Sequence, residues 1–139
     1  MQALGATRVF DRTRAALLTD ETYDVVIDTV AGPSLEQHLE LLRPNGRYVL
    51  CGGAAGPPGP DAFTPLLRNI HKSPTLIVFS LNSLEPQDLR RSWKRVTTLL
   101  REDRLSPVLD SRFPLAQADS ALRHVEFGRP FGKVVLLPG

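Results

Sequence analysis

The chain has 139 residues, 42% of them hydrophobic and 23% charged, which suits one folded domain with a real core and excludes a disordered chain. A net charge of +2 and a pI near 9.0 make a mild basic bias that does not by itself imply nucleic acid. The single cysteine, Cys51, excludes an internal disulfide framework and a cysteine-clustered zinc site.

In chain order, MQALGA reads as the tail of a helix, with neither the charged start nor the apolar core of a signal peptide. TRVFD (7–11) is a short strand candidate. DVVIDTV (24–30) is a near-continuous β-branched run that predicts a strand buried on both faces. GPSLEQHLELLRPNG (32–46) predicts a helix with Pro33 at its start and Leu35, Leu39 and Leu42 on one face, stopped by Pro44, Asn45 and Gly46. RYVLCG (47–52) predicts a second buried strand. Residues 54–65 read as a loop, 65–70 as a short helix, and TLIVFSL (75–81) as a third buried strand.

The clearest helix is EPQDLRRSWKRVTTLLREDRL (85–105). Pro86 suits its first turn, and Leu89, Trp93, Val96 and Leu100 share a face expected to point inward. PVLDSRFPL (107–115) is extended. AQADSALRHVEFG (116–128) predicts a last helix, with Ala118, Ala121, Leu122 and Val125 inward and Gly128 as its stop. GKVVLL (132–137) closes as a strand. Strands alternating with helices predict an α/β fold with a mainly parallel sheet. No run reaches the length of a membrane span, and a cytoplasmic setting fits the cysteine usage.

YVLCGGAAGPPGP (48–60) runs from a strand into clustered glycines, as phosphate-binding turns do. The order Gly52-Gly53-Ala54-Ala55-Gly56 breaks the G-x-G-x-x-G spacing, and prolines stand where a helix should open. Three strand ends, DTVAG, CGGAAG and FSLNS, are small or polar, and ligands of open parallel sheets lie beyond such ends. His38, His71 and His124 lack metal-ligand spacing and read as surface or half-buried histidines. Asp24, Asp28 and Asp110 form no evident catalytic pair, and Cys51 reads as a small apolar residue rather than a reactive thiol. The basic cluster RRSWKR (90–95) reads as the solvated side of its helix rather than a nucleic-acid grip.

LGATRVFDRT, YDVVIDTVAG, LRPNGRYVLCGGAAG and DSRFPLAQADSALRHVEFGRPFGKVVLLP, in that order, resemble the C-terminal half of medium-chain dehydrogenase/reductases. The nearest resemblance is to the quinone-oxidoreductase, zeta-crystallin-like branch, labelled zinc-binding dehydrogenase even where zinc is absent. It implies a Rossmann-type fold and hydride transfer from NADPH to a quinone, enone or related carbonyl substrate. By position it implies that Arg12 lies near the adenosine 2'-phosphate, which a guanidinium suits. Gly32 would lie beside the cofactor. Leu50, Cys51, Gly52 and Gly53 would pass the nicotinamide end, the two glycines small so that the ring lies against the backbone. Phe79, Ser80 and Leu81 would offer backbone groups to the carboxamide.

The resemblance also implies what this sequence does not contain: the amino-terminal catalytic domain, and the first two strands of the nucleotide domain with their glycine-rich turn. The expected fold is therefore a partial Rossmann-type parallel sheet with flanking helices, over 1–106. A return segment over 107–139 would supply a helix and strand belonging to the catalytic domain. Lacking part of its site, the chain is expected to be inactive alone, with no metal site, no nucleic-acid partner and no membrane partner. The alternative is a non-catalytic binding or dimerisation module, pairing as a homodimer through the edge of the 75–81 strand.

Overall fold

The computed structural model describes residues 2–10, 21–128 and 130–139. The chain divides into two compact units, Met1–Leu84 and Glu85–Gly139.

In the first unit, β1 (Tyr23–Asp28), β2 (Leu42–Leu50) and β3 (Thr75–Val78) form a parallel sheet in the order β1-β2-β3. The register aligns Val26 with Tyr48 and Leu76, and Asp28 with Leu50 and Val78. Side chains alternate across a strand, so Val26, Tyr48, Leu50 and Leu76 share one face. Against that face pack α1 (Leu35–Glu40), through Leu35 and Leu39, and Leu66 of α2 (Thr64–Arg68), with Leu42 and Ala62 completing the core. Full burial of Leu35, Leu42 and Tyr48 contributes about 1.5–3 kcal/mol each.

The opposite face corrects the expectation of a strand covered on both sides. Val25 and Ile27 lie there beside Val49 and Ile77, and Ile27 is 71% exposed. The β-branched run has the composition of a buried strand, yet among the described residues of this unit only one of its faces meets a helix. TRVFD is a second correction. Its described part, residues 7–10, forms no strand, because no strand of this sheet pairs with it; Asp11 lies outside the described residues.

The predicted helix over 32–46 is shorter than its leucine spacing suggests. It ends at Glu40, and Leu42 enters β2 while keeping its place in the core. Tyr23 pairs with Leu42 and Val25 with Arg47, so residues 43–46 loop out opposite Asp24. Asn45 makes that turn at φ 61°. Arg43 ties the loop to β1, donating to Asp24 Oδ2 at 3.0 Å and to Thr22 Oγ1 at 3.2 Å.

The second unit holds α3 (Pro86–Arg101), β4 (Leu109–Pro114), α4 (Ala118–Phe127) and β5 (Lys133–Leu137). β4 and β5 pair in parallel with α4 as their crossover, the expected β-α-β order. Pro86 takes the first turn of α3, where its missing N–H has no intrahelical partner to lose. Leu89 and Trp93 do not point inward; they are 47% and 66% exposed, whereas Val96 and Leu100 are half-buried. On α4, Ala121 is buried, but Leu122 is 69% exposed and Val125 is also exposed, again against the expectation. Gly128 ends α4 in the right-handed region at φ −81°. A side chain there would meet His124, whose carbonyl oxygen and ring lie 2.5 Å from the Cβ position.

Candidate functional site

All three strands of the first sheet run the same way, so their carboxyl ends share one edge. Asp28, Leu50 and Val78 stand level across it. The ladder continues past the strands: Cys51 N–H donates to Asp28 O at 2.8 Å and Phe79 N–H to Leu50 O at 2.9 Å. Beyond lies a hollow of about 450 Å³ lined by Ile27, Thr29, Val49, Cys51, Phe79 and Leu81. It opens on the sheet face that α1 and α2 leave bare. Its wall is almost wholly apolar, and its volume suits a ring-sized group.

Cys51, Phe79 and Leu81 of the expected site residues therefore meet in one hollow. Leu50 turns the other way, toward the Tyr48 core. Gly52 does not line the hollow; a Cβ there would lie 2.2 Å from Thr29 O, so the glycine also lets the chain ends of β1 and β2 approach. Gly53 faces open space. Gly32 adopts φ +82° and packs on Ala55, whose N–H donates to Val30 O at 2.8 Å, joining two of the strand-end loops. Ser80 is exposed. Its Oγ accepts from Asn82 N–H at 3.2 Å and its carbonyl accepts from Ser83 Oγ at 2.7 Å, which shapes the turn after β3. Arg12 lies outside the described residues.

Asp28 is the residue that sequence reasoning passed over. It is buried at the end of β1, where Oδ1 accepts from Val30 N–H at 2.8 Å and Ala31 N–H at 3.0 Å, and Oδ2 accepts from Tyr48 Oη at 2.5 Å. Burial pushes its pKa up. The hydrogen bonds from Tyr48, Val30 and Ala31, with His38 nearby, together outweigh that and hold the carboxyl below its ordinary range. The Tyr48 hydroxyl is pushed the other way, by burial and then by the carboxylate it serves. A local signal existed. An aspartate before a glycine turn commonly caps the backbone two residues on, as DTVAG does. Its tyrosine partner, twenty residues away, carried no such signal.

His38 Nδ1 lies 3.4 Å from Tyr48 Oη at the edge of this network. Cys51 is half-buried, its Sγ 3.4 Å from Asp28 O. In the second unit, His124 Nε2 meets Asp110 Oδ2 at 2.7 Å, and Asp110 Oδ1 accepts from Phe131 N–H at 2.9 Å. Among the described residues no three His, Cys, Asp or Glu side chains gather to hold a metal ion, and no helix is long and apolar enough to cross a membrane.

Residues 4–136 match the sequence family described as zinc-binding dehydrogenase. A highly reducing polyketide synthase of Emericella nidulans is 30% identical over 115 residues, 81% of this chain and 4% of that protein. The solved structure of a mycobacterial quinone oxidoreductase is similar over 99% of this chain and 44% of its own, with a TM-score of 0.79 at 24% identity. A mycobacterial protein solved in complex with NADPH is similar over 91% of this chain and 38% of its own, with a TM-score of 0.70 at 26% identity. The chain thus spans a small part of the polyketide synthase and under half of either solved chain.

Proposed function

The chain belongs to the zinc-binding dehydrogenase family, a group of medium-chain dehydrogenase/reductases, and on that premise we propose that it supplies the nicotinamide-side wall of an NADPH-dependent oxidoreductase acting on a quinone, enone or related carbonyl compound. The observation that carries the reading is the apolar hollow at the level carboxyl ends of β1, β2 and β3. When bound, the reduced nicotinamide supplies the hydride. Cys51, Phe79 and Leu81 would hold its ring and keep water from it; Gly32 and Gly53 would border its path. The Gly52–Thr29 contact keeps the strand ends close enough to form the wall. Arg12 is assigned to the adenosine 2'-phosphate.

By this reading residues 1–106 are a partial dinucleotide-binding domain and 107–139 a return segment toward a catalytic domain, in a cytoplasmic enzyme. The 139-residue chain then binds NADPH weakly and turns over no quinone. Nuclear magnetic resonance titration of the chain with NADPH checks the first point: shifts should cluster at Cys51, Phe79 and Leu81 and vanish in Cys51→Phe, which fills the hollow. Shifts unchanged in that variant would remove the placement. NADPH oxidation with a quinone by the purified chain would overturn its inactivity.

A second reading is favoured by the edge of β3, which pairs with no strand beyond β2 among the described residues and leaves Val78 exposed. It makes the chain a module that dimerises strand to strand through the expected 75–81 strand, of which Thr75–Val78 is extended as β3 while Leu81 turns into a 3-10 helix. Light scattering that finds only monomer at high concentration would dismiss it.

A further inference from the structure

The helix α3 concentrates charge as no other element does. Arg90, Arg91, Lys94, Arg95 and Arg101 stand on it against one acid, Asp88, an excess larger than the net +2 of the whole chain. Arg91 is taken by Asp88 at 3.3 Å. Arg90, Lys94, Thr97 and Arg101 follow one another at spacings of four, three and four, a single ridge along the helix. Leu89 and Trp93 form the next ridge, both exposed. Together these six residues line one open groove of about 760 Å³.

We propose that this groove docks an acidic amphipathic segment of a partner protein. The partner's apolar anchor would lie on Leu89 and Trp93, and its carboxylates, at matching three- and four-residue spacing, on Arg90, Lys94 and Arg101. Tryptophan and arginine side by side are the residue types that carry most binding energy at protein interfaces, since each combines a large flat surface with directional or charged contacts. The charge complementarity selects an acidic occupant and speeds encounter. A membrane fits the groove less well. A helix lying in a bilayer interface submerges its whole apolar face, whereas Val96, Leu99 and Leu100 of α3 are already half-buried.

Trp93 is the only tryptophan in the chain, so its emission reports on this site alone. The probe is a synthetic amphipathic peptide of glutamate and leucine at helical spacing. Titration should shift Trp93 emission to the blue and shield it from acrylamide, saturably and less so as salt rises. The double variant Arg90→Glu/Lys94→Glu, with its helical circular dichroism retained, should bind about tenfold or more weakly. Arg112→Glu, on an exposed residue of β4, should bind like the parent. A response equal in the double variant, an equal response to a lysine–leucine peptide, or no response at all overturns the proposal. Tighter binding of phosphatidylserine vesicles or of single-stranded oligothymidylate than of the acidic peptide overturns it as well, assigning the groove to a lipid surface or a nucleic acid.

Discussion

Asp28 keeps its charge in a buried position because three donors converge on it, and that has a measurable consequence. Tyr48→Phe removes the shortest of those bonds. It should cost about 1.5–3 kcal/mol in urea unfolding at neutral pH, the range for a hydrogen bond to a charged group. The folded-state pKa of Asp28 is depressed, so its contribution is complete above the unfolded carboxylate value of about 3.9 and is lost as pH falls through the lower folded value. In Tyr48→Phe the carboxyl should titrate at higher pH, and acid unfolding should begin earlier, as carboxyl resonances can follow. Gly52 and Gly53 make a second test. Gly52→Ala drives a Cβ into Thr29 O and should cost about 1–3 kcal/mol, whereas Gly53→Ala meets open space and should stay within about 0.5 kcal/mol. The sequence pointed to Gly52 through family position and gave ligand access as its purpose; the close backbone of Thr29 is a contact that no spacing rule displays.

Among the elements, those whose signal is local formed where the residue pattern placed them. Pro86 starts α3, β1 forms over Tyr23–Asp28 and stops two residues short of the expected 24–30 run, and β4 and β5 flank α4. Which side of each element would be covered was not legible. On α3 the apolar stripe is continuous in sequence, but only its later part is half-buried. Leu89→Gln should therefore change stability by no more than about 0.5 kcal/mol, while Leu39→Ala in the core should cost about 2–5 kcal/mol; thermal and urea unfolding compare the two. The His124–Asp110 contact joins α4 to β4. The hydrogen bond from His124, then that from Phe131 N–H, holds the Asp110 carboxyl below its ordinary range. His124→Ala should raise the pKa of Asp110, seen in its carboxyl resonance. The contact with His124 stabilises above the unfolded carboxylate pKa and is lost as pH falls through the lowered folded value.

At the scale of the first sheet, one face carries the core, and α1 and α2 leave the other uncovered among the described residues of that unit. Val25, Ile27, Val49 and Ile77 are apolar on that bare face, which is the composition of a sheet meant to be covered. The chain should bind a hydrophobic dye such as anilinonaphthalene sulfonate while folded, and Ile27→Thr, on the most exposed of these positions, should weaken that signal with little loss of stability. Dye binding unchanged in Ile27→Thr would place the apolar surface elsewhere. The sequence by itself determined the alternation of strands and helices, the family and the strand ends that border the hollow, because these rest on local periodicity and ordered motifs. Only the tertiary structure decided that Tyr48 reaches Asp28, that Leu50 turns from Cys51, and that Ile27, Leu89 and Trp93 stand in solvent. Each of those depends on which surface lies opposite, and packing between residues distant in the chain sets that, not the pattern of either segment alone.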